Sequence, residues 1–143
     1  MVDRKTLSAS HIRYLLTMKK LGESGGGGIR LTDIAASLRL SKPSVHNMMD
    51  TFSAMGLVAR ESYGVCRFTE LGESEAKRYS RYYDSVSELL SVCFPEETDI
   101  RRAVCMLLSE IPDEKLESLC GTREMTGAQR RNGPADHGKT HKI

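Results

Sequence analysis

Tryptophan is absent from the 143 residues, and five tyrosines and three phenylalanines make up the aromatic complement. That scarcity argues against an aromatic platform on which nucleic-acid bases could stack. Long apolar runs are missing too: no stretch approaches the ~18–20 residues needed to span a bilayer. A membrane protein is therefore not expected, and the opening MVDRKTLSAS has no hydrophobic stretch of the secretory kind. Four cysteines (Cys66, Cys93, Cys105 and Cys120) lie far apart with no C-x-x-C pair. Free thiols in the cytoplasm are the expectation, not a disulfide framework. The glycine run Gly25-Gly26-Gly27-Gly28 has no preceding strand and no following Gly-Lys-Ser/Thr, so it reads as a loop and not as a phosphate cradle. No nucleophile–base or paired-carboxylate constellation appears, and no enzyme is expected.

What is present centres on residues 31–69, LTDIAASLRLSKPSVHNMMDTFSAMGLVARESYGVCRFT. Ile34, Ala35 and Leu38 fall at helical spacing, with Thr32 as the expected N-cap. Leu40 and Ser41 close a turn. A second helix follows in which Val45, Met48, Met49 and Phe52 form one apolar stripe. Ser41 can cap it, Pro43 sits in its first turn where a missing N–H costs nothing, and Gly56 ends it.

The opposite side of that second helix is small and polar: Ser41, Lys42, Ser44, His46, Asn47 and Asp50. Short hydrogen-bonding side chains at a helix N-terminus suit a major groove, where bases are read by their edges. The positive end of the helix dipole also favours a phosphate. A helical hairpin with a solvated face would give the same pattern. The segments Leu57–Arg60 and Val65–Phe68, flanking a turn at Ser62-Tyr63-Gly64, favour the first reading. They form a β-hairpin carrying Arg60 and Arg67, and a helix-turn-helix followed by a basic hairpin is a winged helix.

Charge is distributed to match. Residues 1–72 hold 10 Lys and Arg against 6 Asp and Glu, residues 73–120 hold 6 against 11, and residues 121–143 hold 5 against 2. The basic part coincides with the winged helix, as an electrostatic footprint on phosphate requires.

The flanks are helical. A first helix over Ser8–Leu21 carries Ile12, Leu15 and Leu16. After the hairpin, a long helix over Glu73–Val92 has Ala76, Tyr79, Tyr83, Val86, Leu89 and Leu90 on its apolar face. Thr98 or Asp99 caps a further helix whose stripe is Ile100, Ala103, Val104, Leu107, Leu108 and Ile111. A last helix with Leu116 and Leu119 ends at Gly121. The expected organisation is mostly α. A winged helix-turn-helix DNA-binding domain (1–72) precedes an all-helical dimerisation domain (73–120), because a two-fold dimer matches a palindromic site. A basic tail (121–143) has too few large apolar residues to order itself. His137 and His141 in the tail have the spacing of metal ligands, but two histidines in such a segment are expected to be incidental.

RLTDIAASLRLSKPSVHNMMDTFSAMGLV, the hairpin with Tyr63-Gly64 at its tip, FTELGE and the FPEETD…AVCMLLSEIPDEKLESL segment resemble the iron- and manganese-dependent repressors. The similarity covers about residues 7–120 and is most specific over the helix-turn-helix. It implies a winged-helix homodimer, without enzyme activity, that binds a palindromic double-stranded operator when loaded with Fe(II) or Mn(II). It also implies that Ser41, Pro43, Ser44, His46 and Asn47 contact DNA. Lys42, Arg60 and Arg67 complete the expected DNA-binding set. The C-terminal third domain of longer members is expected to be absent.

The metal positions implied by the resemblance depart from the family. They hold Ser10 and Arg13 in the first helix, Tyr83 (or Tyr82, one position away) in the long helix, and Cys105, Leu108 and Ser109 in the next. An octahedral oxygen and nitrogen site cannot be built from these. No cofactor is expected, and zinc on Cys105 with His11 is the exception to check. The expected function is therefore a repressor-like regulator freed from Mn(II) and Fe(II). Two alternatives stand beside it: a winged-helix dimer serving as a protein-interaction module, and a redox-sensing repressor using Cys66 in the hairpin.

Overall fold

The computed structural model describes residues 7–26, 28–96 and 98–131. In chain order the elements are α1 (Ala9–Ser24), β1 (Ile29–Arg30), α2 (Leu31–Leu38), α3 (Lys42–Ala54), β2 (Val58–Ser62), β3 (Val65–Phe68), α4 (Glu70–Cys93), α5 (Arg101–Glu110) and α6 (Asp113–Arg131). The fold is mostly helical, a winged helix followed by further helices.

α1 begins with a capping box: Ser8 Oγ accepts from the His11 N–H, and His11 Nδ1 accepts from the Ser8 N–H, both at 3.1 Å. α2 departs from the expected start. Arg30, not Thr32, stands at the N-cap, and no side chain caps the helix. The hairpin shares in that start: the Leu31 N–H donates to the Gly64 carbonyl at 2.9 Å, so the wing satisfies one of the first-turn N–H groups. Arg39, in the left-handed conformation at φ 56°, makes the sharp turn to α3.

α3 follows its sequence signals closely. Ser41 caps it, Pro43 lies in the first turn, and Val45, Met49 and Phe52 are buried. Gly56, at φ 78°, redirects the chain into β2. The sheet order is β1-β3-β2, antiparallel throughout, with Ile29 opposite Cys66 and Arg60 also opposite Cys66. Irregular pairing between Arg60 and Ser62 leads into the tip.

Thr69 joins the wing to α4. Its hydroxyl donates to the Gly56 carbonyl at 2.6 Å and accepts from the Gly72 N–H at 3.0 Å. α4 buries Gly72, Ala76, Tyr79, Tyr82 and Val86. Thus Tyr82 completes its core face and Tyr83 packs half-buried against it, while Leu89 is exposed. α6 fixes that choice: Glu117 accepts from the Tyr82 hydroxyl at 2.6 Å and pairs with Arg81 at 3.0 Å. Burial and the neighbouring Glu117 both push the Tyr82 phenol far above its ordinary pKa. Arg78 also ties the two helices, reaching Asp113 at 3.3 Å.

α5 begins after Ile100 with no side-chain cap on that residue, although Asp99 Oδ1 accepts from the Arg101 N–H at 3.1 Å. Of the apolar positions read for α5, Val104 and Leu108 are buried but Leu107 is exposed. α6 runs to Arg131, past Gly121. A glycine inside a helix costs about 1 kcal/mol but does not by itself stop it. The remainder of the tail, with His137 and His141, lies outside the described residues.

One continuous core joins these elements, from Ile12, Leu15 and Met18 through Val45, Met49 and Phe52 to Tyr79, Val104 and Leu116. α1 is the shared element, packing on α2 as well as on α4 and α5.

Candidate nucleic-acid interface

Burial of Val45, Met49 and Phe52 turns the other side of α3 outward. Ser41, Lys42, Pro43, Ser44, His46 and Asn47 are all exposed there. Their chemistry is not equivalent. Ser41 Oγ accepts from the Ser44 N–H at 3.2 Å and donates to Ser44 Oγ at 2.9 Å, so its hydroxyl is committed to the cap. The His46 and Asn47 side chains make no hydrogen bond among the described residues and are free to meet a partner.

Between α3 and the wing runs a groove of about 550 Å³, bordered by Arg30, Thr32, Lys42, His46, Arg60 and Tyr63. Arg60 spans it, donating to Asp50 Oδ1 at 2.8 Å and to the His46 carbonyl at 3.5 Å. An exposed pair of this kind contributes only about 0–1 kcal/mol, so it tethers Arg60 loosely and a phosphate can take the guanidinium over from Asp50. Arg30 and Lys42 form no ion pair among the described residues, which leaves the groove basic.

Arg67 does not join this set. Residues alternate across a strand, so with Cys66 facing Met49 of α3, Arg67 points to the opposite face of the sheet. There it pairs with Glu61 at 2.9 Å and borders a separate hollow with Lys19, Glu23 and Lys77. The sequence reading missed Arg30, Thr32 and Tyr63. Arg30 reaches the groove through β1, and Tyr63 stands fully exposed at the wing tip.

The positions that the resemblance assigns to a metal are only partly gathered. Arg13, Tyr83 and Cys105 border one cavity beside α1. Ser10 is exposed at the start of α1, Leu108 is buried, and the Ser109 hydroxyl donates to the Met106 carbonyl at 2.7 Å. His11 is used in the α1 cap, with its ring 5.8 Å from Phe52 of α3, and does not border the Cys105 cavity. Among the described residues no three His, Cys, Asp or Glu cluster as metal ligands would. A guanidinium, a phenol and one thiol do not fit a hard divalent ion, which takes carboxylate and imidazole donors.

Cys66 is fully buried, with its sulfur 3.7 Å from that of Met49. Burial pushes its thiol up to about 11. A redox sensor needs an accessible thiolate, so Cys66 is unsuited to the role proposed for it from sequence. Cys93 at the end of α4 is exposed.

Residues 13–62 match the IclR helix-turn-helix domain. Among solved structures, the chain is similar to T. acidophilum IdeR, with 22% identity and a TM-score of 0.61 over 79% of this chain and 53% of that one. It therefore spans about half the length of that protein. It is also similar to the hypothetical protein SSo2273 from Sulfolobus solfataricus, at 27% identity and a TM-score of 0.54, covering 81% and 88% of the two chains. No curated protein matches the sequence. The helix-turn-helix match supports a DNA-binding transcriptional regulator, and the structural likeness supports the winged-helix fold. Among the described residues no helix is long and apolar enough to cross a membrane.

Proposed function

We propose that the protein is a cytoplasmic, homodimeric repressor, related to the iron- and manganese-dependent family, that binds a double-stranded operator without Mn(II) or Fe(II). The observation that carries this reading is the exposed polar side of α3 beside a groove bordered by Arg30, Lys42 and Arg60. In it, His46 and Asn47 read base edges, Lys42 and Arg60 meet phosphates, and Ser41, Pro43 and Ser44 set the helix N-terminus against the backbone. Tyr63 follows the wing toward the neighbouring groove.

The two wing arginines provide the test. Replacing Arg60 with Ala is expected to weaken binding to all sequences alike and to reduce the slope of log affinity against log salt by about 1. Arg67→Ala should change neither quantity. Salt titrations of duplex binding measure both, and equal losses from the two variants would contradict the assignment.

Dimerisation is read from the large apolar side chains left exposed on the end of α4 and on α5: Leu89, Val92, Phe94, Met106 and Leu107. A partner that covered such side chains would remove them from water. Leu107 is 38% exposed in the single chain, so a charge there can still be hydrated, but a partner covering it would strip that water. Leu107→Asp is expected to remain folded by circular dichroism while sedimenting as a monomer at concentrations where the natural chain is a dimer. A natural chain that sediments as a folded monomer at micromolar concentration would remove the dimer from this reading.

A further inference from the structure

A second cavity, of about 310 Å³, lies on the opposite flank of α1 from the Phe52 contact and is left unused by DNA binding. Four helices wall it: Arg13, Thr17 and Lys20 come from α1, Ser37 from the end of α2, Tyr83 from α4 and Cys105 from α5. Its charge balance is positive. Lys19 is neutralised by Glu23 at 2.6 Å and Arg101 by Asp99 at 2.8 Å. Arg13 and Lys20 have no ion-pair partner among the described residues, and of the bordering acids only Asp84 is likewise unpaired.

The remaining walls fit the same kind of guest. The hydroxyls of Thr17, Ser37 and Ser80 have no hydrogen bond among the described residues, so they are available to an acceptor. Leu16, Leu38 and Cys105 give an apolar surface beside them. The volume sits at the small end of ligand sites, which run from about 300 to 1,000 Å³. A guanidinium binds a carboxylate through two parallel N–H donors, more specifically than any single hydroxyl could.

We propose that this cavity binds a small organic carboxylate, and that the bound anion is the protein's effector. The carboxylate lies against Arg13 and Lys20, and the apolar body against Leu16, Leu38 and Cys105. Ser37 and Leu38 close α2 just ahead of the turn into α3, so a ligand touching them and Tyr83 braces the helix-turn-helix against the helices behind it. Binding alters DNA affinity to the extent that the anion prefers one arrangement of these helices over another. The effector half rests on the DNA-binding reading; the binding half does not.

The test uses the full chain, with benzoate as probe and benzamide as its uncharged analogue. Titration up to about 20 mM, a range set by how little binding energy so small a ligand can supply, is followed through backbone amide resonances. The expected result is that benzoate shifts Thr17, Ser37, Tyr83 and Cys105, that benzamide binds about tenfold more weakly or worse, and that Arg13→Gln lowers benzoate affinity about tenfold with unchanged thermal stability. No shifts at these residues, equal binding of benzamide, or full affinity in Arg13→Gln would overturn the site. In a parallel arm, saturating benzoate should change affinity for duplex DNA about fivefold or more. Benzoate binding with unaltered DNA affinity would overturn the effector role, whereas failure to bind DNA without benzoate or with it would instead count against the DNA-binding reading.

Discussion

Replacing Gly72 with Ala is expected to destabilise the protein by about 3 kcal/mol, the upper range for overpacking a rigid site. A Cβ on Gly72 would sit 1.8 Å from the Leu57 carbonyl oxygen and 2.9 Å from Phe68 Cδ1. Neither neighbour is a flexible chain end. The Leu57 carbonyl accepts from the Thr69 N–H at 3.0 Å, and Thr69 in turn holds both Gly56 and Gly72. To admit the methyl group, the first turn of α4 must part from the wing. Against this stands the usual gain of about 1 kcal/mol when alanine replaces glycine in a helix, which is too small to reverse the sign. Gly121 in α6 is the control, because a Cβ there meets nothing within 4 Å. Gly121→Ala should therefore stabilise by up to about 1 kcal/mol. Urea unfolding of the two variants reads the contrast, and a Gly72→Ala protein as stable as the natural chain would mean that the wing and α4 do not meet as described.

The second large effect is on recognition. His46→Ala and Asn47→Ala should each lower affinity for the preferred duplex by about 1–3 kcal/mol, the range for a side chain that reads a base edge. Stability should hardly move, since both side chains are exposed and unbonded among the described residues. Ser41→Ala should behave differently. Its hydroxyl caps α3, so removing it costs about 1 kcal/mol of stability and weakens every sequence alike by loosening the helix start. Competition against bulk DNA separates these outcomes. Losses at His46 and Asn47 that are equal for preferred and random duplexes would demote them from base readers to surface residues.

The candidate interface is legible in the sequence as far as α3 itself, which combines three agreeing signals: a cap at Ser41, a proline in the first turn, and a stripe at Val45, Met49 and Phe52. Given that stripe, the outward side follows. The wing was legible as two strands around Tyr63-Gly64, but not its third member. A strand of two residues, Ile29 and Arg30, shows no alternation to read, and with it Arg30 and the start of α2 were missed. Arg60 and Arg67 look alike as letters. Which sheet face each occupies follows from register, through the pairing of Arg60 with Cys66.

Tyr82 and Tyr83 illustrate a different limit. Both positions satisfy a helical period after Tyr79, and the choice was made by α6, whose Glu117 takes the Tyr82 hydroxyl. Tyr83 instead turns to the cavity beside α1. Leu107 reads as core from the sequence because a half-exposed leucine and a buried one occupy the same helical period with the same side chain.

The central claim is sequence-specific DNA binding without Mn(II) or Fe(II), and one measurement meets it directly. Duplexes selected from genomic fragments by the purified full chain are titrated at fixed salt, first in a chelator and then with micromolar Mn(II). The account predicts that the selected duplex is bound about a thousandfold more tightly than bulk DNA in the chelator, with no change on adding metal. Absence of any preference over bulk DNA would favour a winged-helix dimer acting as a protein-interaction module. A rise of more than about tenfold with Mn(II), equivalent to about 1.4 kcal/mol, would show that the ligands of a working metal switch lie elsewhere in the chain.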